Sequence, residues 1–192
     1  MDQVIVRNAL PSEISDISRL LFAAYGERGY CSVASATGTE QYFDTPPSLF
    51  EGILVAQNKN KIVGTIKITI DSGSLPIDEE FPAEMAAVRN GACKIAYYSR
   101  FAVDRDCWSS KEVSAALIAE AICRWKQNGI DAAIMIVHPR HVRFYKLLGF
   151  KVIGRSDCAP GLEKAPAVLM VLEKSDVRDA YPQLLRKRFS IP

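Results

Sequence analysis

The chain has 192 residues, of which 48% are hydrophobic and 24% charged. That length and balance suit one globular domain able to bury a full core. Lysine and arginine number 24 against 22 aspartate and glutamate, a formal net charge of +2. A dedicated nucleic-acid binder shows its basic excess in the total, so that class is excluded. The five cysteines (Cys31, Cys93, Cys107, Cys123, Cys158) are odd in number and form no CxxC pair. With only two histidines close together, they give neither a zinc spacing nor a disulfide framework, and no metal site is expected.

Residues 1–7 lack a basic stretch followed by an apolar one, so no secretory signal is expected and the reduced thiols point to the cytoplasm. The longest apolar runs, such as 132–137, fall far short of the roughly 20 residues that cross a bilayer.

Val4-Ile5-Val6 opens as a short strand. Pro11-Ser12 then starts a helix whose apolar positions Ile14, Ile17 and Leu21 recur at helical spacing. Residues 26–48 read as irregular. Two β-rich runs, 52–57 and 61–70, are joined by Asn58-Lys59-Asn60 as a hairpin. Residues 72–91, with Pro76, Pro82 and Gly91, read as a second irregular stretch before a strand over 93–103.

Ser109 and Glu112 have the spacing of a capping box. The helix it opens carries Leu117, Ile118, Ala121, Ile122 and Trp125 on one face and stops at Gly129. Residues 130–137 are continuously apolar, as a strand buried on both faces requires. A short helix over 140–148 ends at Gly149, a strand begins at Phe150, and 167–172 gives one more. The expected architecture is one α+β domain over 1–192 around a mixed, partly parallel sheet flanked by helices. It ends in an amphipathic helix over 176–189, whose Arg186-Lys187-Arg188 complements the helix dipole.

The stretch 93–155 resembles the core of the GNAT acyltransferase superfamily. A strand reading Tyr97-Tyr98-Ser99-Arg100-Phe101-Ala102-Val103-Asp104 precedes the capped helix and the buried strand. Phe144-Tyr145-Lys146-Leu147-Leu148-Gly149-Phe150 then resembles the superfamily's FYxxLGF signature. The resemblance implies a GNAT-like fold in which two central parallel strands splay apart. The splaying strand offers backbone groups of Phe101, Ala102 and Val103 to the pantetheine arm of a thioester. Prepositioned N–H donors there also meet the charge that builds on the thioester oxygen.

The loop Arg105-Asp106-Cys107-Trp108-Ser109-Ser110 holds no glycine. Coenzyme A-dependent members carry a glycine-rich loop there, whose amides cradle the diphosphate. Its absence favours a phosphopantetheine thioester delivered on acyl carrier protein, with no cofactor bound by the chain itself. Ser99 to Asp104 is also similar to the Ser-Arg-Phe-x-Val-Asp element of acyl-homoserine-lactone synthases, which use that donor. Tyr42-Phe43-Asp44, Gly64-Thr65-Ile66-Lys67 and Phe81-Pro82 fall in matching order. The His138-Pro139-Arg140-His141 turn resembles the long-chain N-acyl amino acid synthases, such as N-acyl tyrosine synthases. Homoserine-lactone synthases carry a glutamate at Tyr97, an arginine at Leu21 and an aspartate near Gln41, all lost here. S-adenosylmethionine is therefore disfavoured as acceptor, and an amino acid, tyrosine first, is preferred.

The resemblance implies that Tyr145 protonates the leaving thiolate; as plain structure it would pack beside Phe144. Tyr97 and Tyr98 either line the acceptor cleft or are ordinary sheet tyrosines. His138 has base chemistry near neutral pH, or else satisfies the turn before Pro139. Arg100 binds the acceptor's carboxylate, pairs with Asp44, or faces the carrier protein, and Lys67 and Asp44 share that ambiguity. Residues 100–155 hold ten Lys or Arg and five Asp or Glu, a local +5. Arg105, Lys111, Arg140 and Arg143 are thus expected to steer an acidic carrier protein. The alternatives are an acetyl-CoA-dependent N-acetyltransferase or a non-catalytic GNAT-like binding domain.

Overall fold

The computed structural model describes residues 4–29, 52–107, 110–157 and 165–177. Among the described residues, seven strands, β1 (Val4–Asn8), β2 (Ile53–Asn58), β3 (Lys61–Ile70), β4 (Ile95–Val103), β5 (Ala132–Val137), β6 (Lys151–Ser156) and β7 (Ala167–Glu173), form one mixed sheet in the order β1-β2-β3-β4-β5-β7-β6. By internal contact density the chain divides into two compact units. The described part of one comes from 4–29, 52–68, 100–107 and 110–124, that of the other from 69–99, 125–157 and 165–177.

In the first unit, β1 (Val4–Asn8) pairs antiparallel with β2 (Ile53–Asn58), and β2 with β3 (Lys61–Ile70). The hairpin turn places Lys59 at φ 54. A single 3₁₀ turn, Pro11–Glu13, leads into α1 (Ile14–Gly26). Its entry is fixed by Glu13, which accepts the Leu10 N–H at 2.7 Å and pairs with the Arg7 guanidinium at 2.5 Å. Arg7's hydrogen bond holds the Glu13 carboxyl below the usual carboxylate range. Ile17, Leu21 and Ala24 of α1 are buried against Ile53, Val55 and Ala102. Burying side chains of the size of Ile17 and Leu21 contributes about 1.5–3 kcal/mol each.

α3 (Ser110–Asn128) lies close to β3 because position 64 has no side chain. A Cβ on Gly64 would come within 2.7 Å of Val113 Cγ1 and 2.8 Å of Leu117 Cδ1, both fully buried. Ser109, the expected N-cap, lies outside the described residues.

In the second unit, β5 (Ala132–Val137) runs parallel to β4 (Ile95–Val103) on one side and antiparallel to β7 (Ala167–Glu173) on the other. It is buried at five of its six positions, as its unbroken apolar run requires. β6 (Lys151–Ser156) pairs with the outer edge of β7.

Here the structure corrects the sequence reading of 72–91. Residues Pro82–Gly91 form a helix, α2, over buried Phe81 and Met85. The proline and glycine that read as loop punctuation are the N1 residue and the last residue of that helix. α2 approaches β6 at Gly154, where a Cβ would meet the Phe81 ring at 2.8 Å. The expected C-terminal helix over 176–189 lies almost entirely outside the described residues; Lys174–Asp176 is a 3₁₀ turn.

Gly64→Ala should therefore lower the unfolding free energy by about 1–3 kcal/mol, the usual cost of overpacking a close helix–sheet contact. Chemical denaturation monitored by circular dichroism measures this, and an unchanged midpoint would contradict the packing described.

Candidate functional site

β4 carries six of the residues singled out from sequence, Tyr97, Tyr98, Arg100, Phe101, Ala102 and Val103, and its pairing changes partway along. With β5 it pairs only from Ile95↔Ala132 to Tyr98↔Met135. Yet β4 continues to Val103 and β5 to Val137. On the β3 side, Asp71 N–H donates to the Ile95 carbonyl and Asp104 N–H to the Val63 carbonyl, both at 2.9 Å. Between these two bonds the chain takes eight steps on β3 and nine on β4. One extra residue on β4 is a β-bulge, which bends a strand and redirects its side chains.

Arg100 absorbs the bulge at φ 53. The left-handed conformation costs a residue with a side chain roughly 1–2 kcal/mol, and such strain is stored where a backbone must be re-aimed. The register between β4 and β5 ends at Tyr98↔Met135, two residues before the bulge.

Lys67 pairs across β2–β3 with Ile53, just as Thr65 pairs with Val55. Lys67 thus projects on the α1 side of the sheet, where Ile53 and Val55 are buried. On β4, the eight-to-nine mismatch puts Lys67 opposite the Ser99–Arg100 step. The Lys67 ammonium is half-buried, and burial, then the Arg100 guanidinium, pull its pKa below the ordinary lysine value. The two cations are thus near enough to act on one another electrostatically. Asp44, the expected carboxylate partner, lies outside the described residues. Ala102 is 1% exposed within the α1 core, so it offers only backbone, while Phe101 and Val103 are half-buried.

Tyr98 is buried, and burial pushes its phenol well above the usual tyrosine value, so it stays protonated at any working pH. Tyr97 beside it is half-buried, opposite Ile134 of β5.

Tyr145 sits in α4 (Val142–Leu147), which follows β5 through the 3₁₀ turn Pro139–His141. Gly149, at φ 87, donates its N–H to the Lys146 carbonyl at 3.0 Å. Phe150 N–H reaches back to the Tyr145 carbonyl at 3.1 Å. These are the two bonds of a Schellman motif, which needs a left-handed residue at its turn and an apolar clasp across it. The clasp is Tyr145 on Phe150, with ring centroids 5.8 Å apart, and Phe144 packs edge-on at 5.1 Å. The FYxxLGF spacing is thus the covalent layout of a helix stop that fixes the tyrosine ring.

His138 caps the turn before α4. Its Nδ1 accepts from the Arg140 backbone N–H at 3.2 Å and from Arg140 Nε–H at 3.1 Å. With Nδ1 used as acceptor, the neutral ring carries its proton on Nε2. Taking up a second proton at Nδ1 would break both bonds and place a cation beside Arg140. Burial and Arg140 accordingly lower the His138 pKa.

Arg105, Lys111, Arg140 and Arg143 are all exposed. Arg105 pairs with Glu27 at 3.3 Å. Leu147, which the sequence reading did not single out, is 56% exposed on α4, next to exposed Lys146. Among the described residues, no group of three or more His, Cys, Asp or Glu is placed to hold a metal ion. Nor is any helix among them long and apolar enough to cross a membrane.

The model of the N-acyl amino acid synthase FeeM family matches residues 16–173. Among solved structures, FeeM itself, an N-acyl amino acid synthase from uncultured soil microbes, superposes with a TM-score of 0.70 at 27% identity. That match covers 90% of this chain and 92% of FeeM. A mosquito arylalkylamine N-acetyltransferase like 5b gives a TM-score of 0.66 at 14% identity, covering 89% of this chain and 100% of its own. The Drosophila melanogaster polyamine N-acetyltransferase gives 0.62 at 14%, with the same coverage. The last two show the fold alone, and it is the GNAT fold expected from sequence. A search of curated protein sequences finds no match.

Because its folded pKa is depressed, His138 contributes stability that is complete above its unfolded value, about 6.5, and lost as pH falls through the folded value. A ¹⁵N NMR titration should show the Nε2–H tautomer at neutral pH and a midpoint below about 6.5. A midpoint above that value, or an Nδ1–H tautomer, would contradict the cap.

Proposed function

Since this chain belongs to the N-acyl amino acid synthase FeeM family and is an N-acyltransferase, we propose that it moves a long-chain acyl group from acyl carrier protein to the α-amino group of an amino acid, tyrosine first. The observation that carries the mechanism is the left-handed Arg100, which re-aims β4 two residues after its register with β5 ends at Tyr98. Backbone amides of Phe101 to Val103 then receive the pantetheine arm, and an N–H on this segment polarises the thioester carbonyl.

The acceptor's neutral amine attacks that carbonyl. The C–N bond forms as the C–S bond breaks, without a covalent enzyme intermediate. The amine's surplus proton leaves to water, since His138 Nδ1 is engaged by Arg140. Tyr145, whose ring is held by Phe144 and Phe150, protonates the departing thiolate and is itself reprotonated from water. Lys67 and Arg100 supply positive charge for the acceptor's carboxylate, alongside any pairing with Asp44. Tyr97 and Phe101 are the ring partners for a tyrosine acceptor.

Charge supports the donor assignment. Arg140, Arg143 and Lys146 are exposed close together around α4, with exposed Leu147 among them. An apolar anchor inside a basic rim suits an acidic helix bearing an apolar side chain. Lys111 and Arg105 add exposed basic charge at the start of α3 and in the turn before it.

Turnover is tested by thiol release from long-chain acyl carrier protein with tyrosine, and by mass spectrometry of the product. N-acyl tyrosine is expected; transfer only from acetyl-CoA would overturn the donor, and a different head group would move the acceptor. In the same assay Tyr145→Phe should lower kcat by roughly 10²-fold or somewhat less, with KM barely changed, because a group acting only in the transition state adds little ground-state binding. An unchanged kcat would remove Tyr145 as the acid.

A further inference from the structure

α2 presents two different stripes to its surroundings. Met85, with Phe81 just before the helix, is buried. Glu84, Ala87, Val88 and Gly91 follow one another at helical spacing and form the second stripe. Alanine and glycine project little there, so the helix does not close onto the strands beside it. A groove of about 790 Å³ runs along that stripe. Buried Ala132 of β5 and Val171 of β7, with half-buried Ile153 of β6, give it an apolar floor. Small-molecule sites have volumes of about 300–1,000 Å³, and this groove lies within that range.

The groove is apolar along its length and acidic at its ends. At one end, a Cβ on Gly154 would lie 3.2 Å from Glu84 Oε1, which sets that carboxylate against β6. At the other, beyond Gly91, Asp131 Oδ2 accepts Lys94 N–H at 2.9 Å, next to the groove-lining Cys93. Glu84 and Gly91 are seven helical residues apart, about 10 Å at 1.5 Å each. Among the described residues, no cation forms an ion pair with Glu84 or Asp131. The other two charges on the lining, Glu173 and Lys174, are exposed and opposite in sign, and Glu173 already pairs with Lys151 at 3.2 Å.

Two uncompensated carboxylates about 10 Å apart, with apolar surface between them, are complementary to a narrow class of ligand. We propose that the groove binds a linear aliphatic diamine in its diammonium form. Each ammonium meets one carboxylate, and the methylene chain lies against Ala87, Val88 and Val171.

Placement separates this site from acyl transfer. Ala132 opens β5, whereas α4 and Tyr145 follow its far end at Val137. Six strand residues span about 20 Å, so a ligand in the groove is held there and not acylated.

The test uses the full chain and octamethylenediamine, whose extended length is comparable with the carboxylate separation. Trimethylenediamine, too short to reach both ends, and octylamine, with a single ammonium, are the controls. Titration calorimetry should show octamethylenediamine binding about fivefold tighter than either, the scale of one half-exposed ion pair. Glu84→Gln and Asp131→Asn each keep the shape of the side chain, and the latter keeps an oxygen for Lys94 N–H. Each should weaken octamethylenediamine by about fivefold, to the level of octylamine.

A second readout needs no variant. Cys93 is exposed and lines the groove, so its alkylation by iodoacetamide should slow when octamethylenediamine is bound. Peptide mass spectrometry measures that rate at Cys93 alone. An affinity for octamethylenediamine within about twofold of that for octylamine would overturn the proposal. So would binding that survives both substitutions or leaves Cys93 alkylation unchanged, since the ligand would then sit elsewhere.

Discussion

One extra residue in β4 is the constraint on which the functional half of this molecule depends. β3 and β4 are held together at two points, Val63 with Asp104 and Ile95 with Asp71, and the strands differ by one residue between them. A flat antiparallel ladder cannot absorb that difference, so one residue must leave the strand conformation. Arg100 does so at a φ that disfavours any side chain. Its strain is tolerated because the flanking sequence, Tyr98 and Ala102 above all, is anchored in buried positions on either side. The register with β5 ends at Tyr98, two residues before that left-handed turn.

The second fixed point is the Schellman stop at Gly149. It was legible in the sequence as a motif because only glycine fits a left-handed turn cheaply, and because an aromatic clasp needs ring side chains at set spacing. The same device ends α3, where Gly129 at φ 61 precedes an Ile130 N–H that returns to the Trp125 carbonyl at 3.2 Å. Trp125 there donates Nε1–H to the Ile130 carbonyl at 2.6 Å, closing the clasp in both directions. Two strands, β5 and β6, thus begin immediately after helix stops of one type.

What the sequence hid follows from the same physics. Arginine at a left-handed position gives no compositional signal, so the Arg100 bulge was invisible although Arg100 itself was singled out. α2 was missed because its proline and glycine are ambiguous in one dimension: they punctuate loops and also open and close helices. Only the burial of Phe81 and Met85, a tertiary fact, resolves them. The strands β2, β3, β5 and β7 were placed to within two residues because alternation or unbroken apolarity leaves little choice. For His138 the sequence left a base and a turn cap open, and the two Arg140 contacts favour the cap.

The Asp104-Arg105-Asp106 turn shows how an absence in the sequence becomes a positive structural fact. A strand-to-helix turn without glycine cannot easily aim several N–H groups outward, so each must find an acceptor nearby or remain unsatisfied. An aspartate two residues before an amide is the standard local solution, its side chain bonding its own backbone two residues on. Asp104 takes that role with Asp106 and is then held by Lys61. The turn thereby carries a negative charge of its own, met on one side by Lys61. What stands in place of the glycines is an aspartate held from both sides, by Asp106 N–H on one oxygen and by Lys61 Nζ on the other.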